Sequence, residues 1–233
     1  MKTSPCAPVL LSMALAALPL SAGVADLPLV EVPAARPSGN AVAILVSGDG
    51  GWAYFIRRVA SELADSGVSS VGLNSLKYLF HRKSPRTLSA DLARIMDHCG
   101  KARGRDRFLL VGYSLGADLL PTMINGLPAE ARRRIASLTL LAPARSYDLE
   151  FHFSEWLWSS RRGNLPLLPE VEKLAGMRIV CVYGKEEEEE SLCPDLAPGT
   201  ARVAALEGGH HFNGAVGTIV KLVLESDPSR SGK

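Results

Sequence analysis

Three groups of residues have the types and the order that nucleophilic catalysis requires. The first is Gly112-Tyr113-Ser114-Leu115-Gly116, which closes an apolar run of strand length and opens a helical pattern. A serine on such a turn sits on a strained backbone with its hydroxyl exposed, and glycines on either side keep side chains out of the space where strand and helix converge. The second group is the unbroken acidic run from Glu186 to Glu190, and the third is Gly208-Gly209-His210-His211-Phe212. A serine hydroxyl becomes a good nucleophile when a base takes its proton, and an imidazole serves as that base when a carboxylate fixes its tautomer. Glu187, three residues beyond Gly184, is the first choice for the acid. Glu190 and Glu186 stay open because the run is uniform. His210 directly follows the glycine pair and is preferred to His211 as the base. Such a set can move an acyl group from an ester to serine and then to water, and it calls for no cofactor and no metal.

Each group must be carried by a strand. The continuously apolar stretch Ala41–Val46 reads as a buried strand. It runs into Gly48-Asp49-Gly50-Gly51-Trp52, where the amide of Asp49 or Gly50 can join that of Leu115 in an oxyanion hole. A plain glycine turn with Trp52 packed beside it is the competing reading. Phe55, Val59 and Leu63 recur at helical spacing, predicting a helix over 53–66 that Gly67 stops. A strand over 68–73 then leads to a basic and aromatic segment holding Lys77, Tyr78, Phe80, His81, Arg82 and Lys83, which reads as a rim loop facing an anionic substrate or lipid headgroups, or as a solvated loop. Ser84 and Pro85 open a helix through Leu88, Leu92, Ile95 and Met96 towards His98, with Cys99 after it. Later strands are expected over 135–141, 178–184 and 201–206, and later helices over 129–134 and 215–225.

This alternation predicts an α/β fold, an open and mostly parallel sheet with helices on both faces. Asp118, one helical turn past Ser114, either borders the pocket or complements the helix dipole. Residues 143–169 hold Trp156 and Trp158, together with a strand-like alternation of Tyr147, Leu149, Phe151 and Phe153, and read as a lid excursion or as scaffold packing. The order of nucleophile, acid and histidine, each after a predicted strand, is that of the α/β-hydrolase triad.

Residues 1–25 have the pattern of a signal peptide: Lys2, an apolar run over 9–20, and small residues at Gly23-Val24-Ala25. Residues 26–40 form a lead-in with a short edge strand at Leu29–Val32, and 41–233 form a single domain. Lys2 is the only charged residue in the signal, so its removal leaves 25 basic and 24 acidic residues and a formal charge of +1. That balance gives no ground for nucleic-acid binding. No transmembrane segment is expected in the mature chain. Export places Cys99, Cys181 and Cys193 in an oxidising compartment, where Cys181 and Cys193 flank a short segment they can staple. No Gly-x-Gly-x-x-Gly follows the first strand, which argues against a dinucleotide.

The chain resembles the VirJ/AcvB family of exported, virulence-associated bacterial proteins at five places: Gly48-Asp49-Gly50-Gly51-Trp52, Ser75-Leu76-Lys77-Tyr78, Gly112 to Asp118, Val182-Tyr183-Gly184 with Cys193, and Gly208 to Phe212. The resemblance implies a periplasmic α/β-hydrolase-like domain that cleaves the aminoacyl ester of aminoacyl-phosphatidylglycerol, lysyl or alanyl, with Ser114 and His210 at the family's serine and histidine. With that lipid, Asp49 or Asp118 would meet the α-ammonium, Lys77, Arg82 or Lys83 the phosphate, and Trp52 and Tyr78 would line the site. Two alternatives stand beside it: a broad carboxylesterase, and a non-enzymatic binding or type IV secretion-assisting protein that keeps the hydrolase shell.

Overall fold

The computed structural model describes residues 23–148 and 164–230. Its main sheet is built from β1 (Leu29–Val32), β2 (Ala41–Val46), β3 (Ser70–Leu73), β4 (Arg107–Tyr113), β5 (Ile135–Leu141), β8 (Ile179–Gly184) and β9 (Arg202–Leu206). The order across the sheet is β1-β3-β2-β4-β5-β8-β9. Only β1 runs antiparallel to its neighbour, and the remaining pairs are parallel. The strand that ends at Tyr113, immediately before Ser114, is therefore the central one.

All six residues of β2 are buried, because a strand inside a parallel sheet is covered on both faces. Ile44 points into the layer formed by α3 (Pro85–Arg103) and α4 (Leu115–Asn125), where Leu88, Leu92 and Leu119 also lie. Leu45 points the opposite way, into the layer of α1 (Tyr54–Asp65) and the last helix (Val216–Glu225), with Phe55, Val59 and Val223. Two short helices, α2 (Ser75–Tyr78) and α5 (Ala129–Arg133), complete the first two-thirds of the chain. In the remaining third, α6 (Leu168–Glu172) precedes the last helix, hereafter α7.

The structure departs from the sequence reading at α3. The helix runs to Arg103 and includes Cys99, which is fully buried as a thiol. The helix stops where Gly104 adopts the left-handed conformation at φ 61°, a stop that Gly supplies without strain. Of the segment 143–169, the described part forms a two-residue ladder in which β6 (Ser146–Tyr147) pairs with β7 (Leu165–Pro166). The readings for Leu149, Phe151, Phe153, Trp156 and Trp158, and most of the signal segment, lie outside the described residues.

Candidate active site

Ser114 forms the junction between β4 and α4 with φ 54° and ψ −123°. For a residue with a β-carbon this conformation costs about 1–3 kcal/mol, which the surrounding packing must offset. Gly116 shows why the turn needs glycine: a β-carbon there would lie 2.1 Å from the carbonyl oxygen of Val46. The Ser114 amide donates to the Leu141 carbonyl at 2.8 Å, tying the turn to the end of β5. Ser114 is buried, in contrast to the exposed hydroxyl expected from the motif. The loop after β2 accounts for part of this cover, since a β-carbon on Gly48 would come within 3.2 Å of the Ser114 Cβ.

The acidic run leaves β8 as a tight turn over Lys185–Glu187. Of its five glutamates only Glu187 is partly buried; the others face solvent. Glu187 Oε2 lies 2.8 Å from His210 Nδ1. Backbone contact holds the two loops in register: the Glu186 amide donates to the Gly208 carbonyl at 3.2 Å. Gly184 permits that approach, because a β-carbon there would fall 2.3 Å from the Gly209 carbonyl oxygen. Glu190 is exposed, and its amide donates to the Glu187 carbonyl at 3.2 Å.

His210 is seated next to the serine turn. The Tyr113 hydroxyl donates to the His210 carbonyl at 3.3 Å, and the two rings lie 5.3 Å apart. Tyr113 in turn packs on Phe55 at 4.7 Å, with Phe212 beyond it at 5.7 Å from Phe55. Phe212 is fully buried at φ 53°, so a left-handed turn anchors the histidine loop in the core. His211 is exposed and meets Phe55 edge-on. Neither Tyr113 nor Phe212 stood out in the sequence as a positioning residue. Their adjacency to Ser114 and to the histidine pair was the available signal.

The remaining residues divide. Among the described residues no acceptor takes the amide of Leu115 or Asp49, whereas the Gly50 amide donates to the Asp49 carboxylate at 2.9 Å. The Gly50 amide is therefore already occupied by the neighbouring carboxylate. Three residues expected at the substrate make scaffold contacts. Tyr78 is buried, and its hydroxyl donates to Asp91 Oδ2 at 2.7 Å; burial first, and then that hydrogen bond, hold its phenol well above the ordinary tyrosine range. Asp118 is buried and accepts from the Ala144 amide at 2.8 Å, so it braces the loop after β5. Trp52 lays its ring on β3, where a β-carbon on Gly72 would come within 2.1 Å of it. Lys77 is exposed on α2. Among the described residues no group of three His, Cys, Asp or Glu side chains is placed to hold a metal.

Cys181 in β8 and Cys193 form a disulfide with Cα atoms 5.5 Å apart, closing the loop whose middle carries Glu187. Cross-linking a loop of this length stabilises by about 3 kcal/mol, chiefly through the unfolded chain. The Cys181→Ala/Cys193→Ala variant is expected to melt roughly 6–12 °C lower than wild type, in calorimetry under non-reducing conditions. An unchanged melting temperature would mean that the cross-link contributes nothing.

The sequence family "Bacterial virulence protein (VirJ)" matches residues 40–231, which is most of the chain. The chain belongs to the VirJ family. Solved structures share its architecture at low identity. Est1E from Butyrivibrio proteoclasticus with bound ferulic acid superposes with a TM-score of 0.64 at 15% identity, over 89% of this chain and 96% of that one. A proline iminopeptidase from Mycobacterium smegmatis gives 0.60 at 10% identity, over 85% and 94%. The thioesterase domain from the curacin biosynthetic pathway gives 0.55 at 17%, over 84% and 94%. At these identities the likeness is one of fold: this VirJ-family chain has the α/β-hydrolase architecture, with a mixed, mostly parallel sheet between helical layers. No curated protein matches the chain.

Proposed function

We propose that this VirJ-family protein is a serine hydrolase of carboxylic esters acting through an acyl-enzyme. The observation that carries the proposal is the 2.8 Å contact between Glu187 and His210, beside the strained turn at Ser114. Glu187 holds the proton on Nδ1, which leaves Nε2 to accept the proton of Ser114 as its oxygen bonds to the acyl carbon. The Leu115 and Asp49 amides and the positive end of α4 stabilise the oxyanion. The imidazolium then protonates the leaving alkoxide. Water, deprotonated by the same nitrogen, attacks the acyl-serine and releases the acid.

The broad carboxylesterase reading asks nothing further of the site. The finer reading, cleavage of the aminoacyl ester of aminoacyl-phosphatidylglycerol in the periplasm, draws its lipid from the family resemblance. In it, Asp49 meets the substrate ammonium, because its carboxylate is half-buried and reachable whereas that of Asp118 is buried against the Ala144 amide. The leaving group is the glycerol hydroxyl of phosphatidylglycerol.

Purified protein assayed beside simple acyl esters on lysyl- and alanyl-phosphatidylglycerol in mixed micelles separates the two readings. Release of free amino acid from the lipids supports the finer one. Turnover of simple esters with every aminoacyl lipid left intact restricts the protein to the broader activity. Inactivity on all of them, with Ser114→Ala equally competent in binding a secretion partner, would favour the non-enzymatic alternative.

A further inference from the structure

Between Asp65 and Asp91 the chain carries no acidic residue, while Lys77, Arg82, Lys83 and Arg86 fall close together within it. The structure shows how this stretch is displayed. Ser75 fixes its start: the Ser75 amide donates to Ser47 Oγ at 2.9 Å and its hydroxyl to the Ser47 carbonyl at 2.6 Å. Ser47 adjoins Gly48, which faces Ser114. Tyr78 and Leu79 are buried in the core behind it. Phe80 is nevertheless 77% exposed, and Leu76 is 37% exposed. With both preceding residues anchored, the Phe80 ring is held outward by the fold. Arg82 and Arg86 are exposed, and the Lys83 ammonium lies 5.0 Å from the centre of the Tyr78 ring. Asp26, whose carboxyl feels the Lys83 charge, is itself paired with Arg94.

We propose that the face formed by α2 and the following turn, residues 76–86, docks on an anionic lipid bilayer. Phe80 and Leu76 enter the headgroup layer, and Lys77, Arg82, Lys83 and Arg86 meet lipid phosphates. One outward ring among cations suits a bilayer interface, which rewards isolated aromatic side chains ringed by positive charge. A stable protein partner would instead bury about 800 Å² of this side with a desolvated core depleted of charged residues, whereas Lys77, Arg82 and Arg86 here are all exposed. Among the described residues no helix is long and apolar enough to cross a membrane, so contact through these residues is peripheral. The docking surface deepens the lipid reading above and rests on it for its purpose, since docking here would bring the Ser114 loop to the bilayer surface.

The test is flotation of purified protein with vesicles of phosphatidylcholine alone and of phosphatidylcholine mixed with phosphatidylglycerol. Binding is expected only with the mixed vesicles, and weaker as salt screens the charges. Phe80→Ser should weaken it roughly tenfold while leaving turnover of a water-soluble ester unchanged. Arg82→Gln/Lys83→Gln should weaken it roughly 25-fold, at about fivefold for each cation near an anionic surface. Ser114→Ala should bind as wild type does. Equal binding to both vesicles, variants that bind like wild type, or no vesicle binding at all would each overturn the proposal; the last would leave an acidic protein as the partner of this face. Vesicle binding without lipid hydrolysis would instead refute the substrate and keep the docking surface. Lipid hydrolysis in micelles undiminished by variants that also bind normally would do the reverse.

Discussion

Replacing Ser114 with alanine is expected to lower ester turnover about 10^6-fold, with His210→Ala doing comparable damage because nucleophile and base act as a unit. The serine change keeps the β-carbon and therefore the same backbone strain at φ 54°, and it removes one buried hydroxyl without opening a large cavity. The fold should survive, with the melting temperature within a few degrees of wild type. Steady-state kinetics on a soluble ester, alongside calorimetry of each variant, reads both quantities. Residual turnover above a hundredth of wild type in a well-folded Ser114→Ala protein would remove Ser114 from the mechanism.

Glu187→Ala should cost about 10^4 in turnover, in line with loss of a triad carboxylate. Glu186→Ala and Glu190→Ala should stay within a few-fold of wild type. The contrast follows from placement: Glu187 alone in the run is partly buried, and its carboxylate reaches His210 Nδ1. Its removal leaves the imidazole free to turn and to take the wrong tautomer. The exposed glutamates influence the histidine only through solvent-screened charge. Measured side by side under the same conditions, a large loss in Glu190→Ala with none in Glu187→Ala would mean that the run is engaged in a different register during catalysis.

The serine turn was legible because its constraints are local. Gly112, Ser114 and Gly116 report a backbone geometry that can be read from adjacent residues, and the apolar runs of β2, β4 and β5 announce buried parallel strands. The acid was legible only as a preference: the spacing from Gly184 put Glu187 first, but five identical side chains left Glu190 and Glu186 open, and the contact with His210 is a tertiary one. Tyr78 shows the opposite failure. Surrounded in sequence by Lys77, Phe80 and Lys83, it read as a rim residue, yet its hydroxyl finds Asp91 on α3 in the core. Asp118 likewise lies one turn from Ser114, as its spacing required, but on the side where the Ala144 amide waits. Helix α3 could have been read further, since Leu88, Leu92, Ile95 and Met96 continue in step to Cys99.

The central claim is that Ser114 is a nucleophile activated by His210, and covalent labelling tests it without any assumption about substrate. A serine-reactive fluorophosphonate should add once to the native protein, with the adduct located by peptide mapping on Ser114. The Ser114→Ala protein should take up no label, and His210→Ala should label far more slowly. Absence of an adduct on the folded wild-type protein, or an adduct on another residue that persists in Ser114→Ala, would contradict the account.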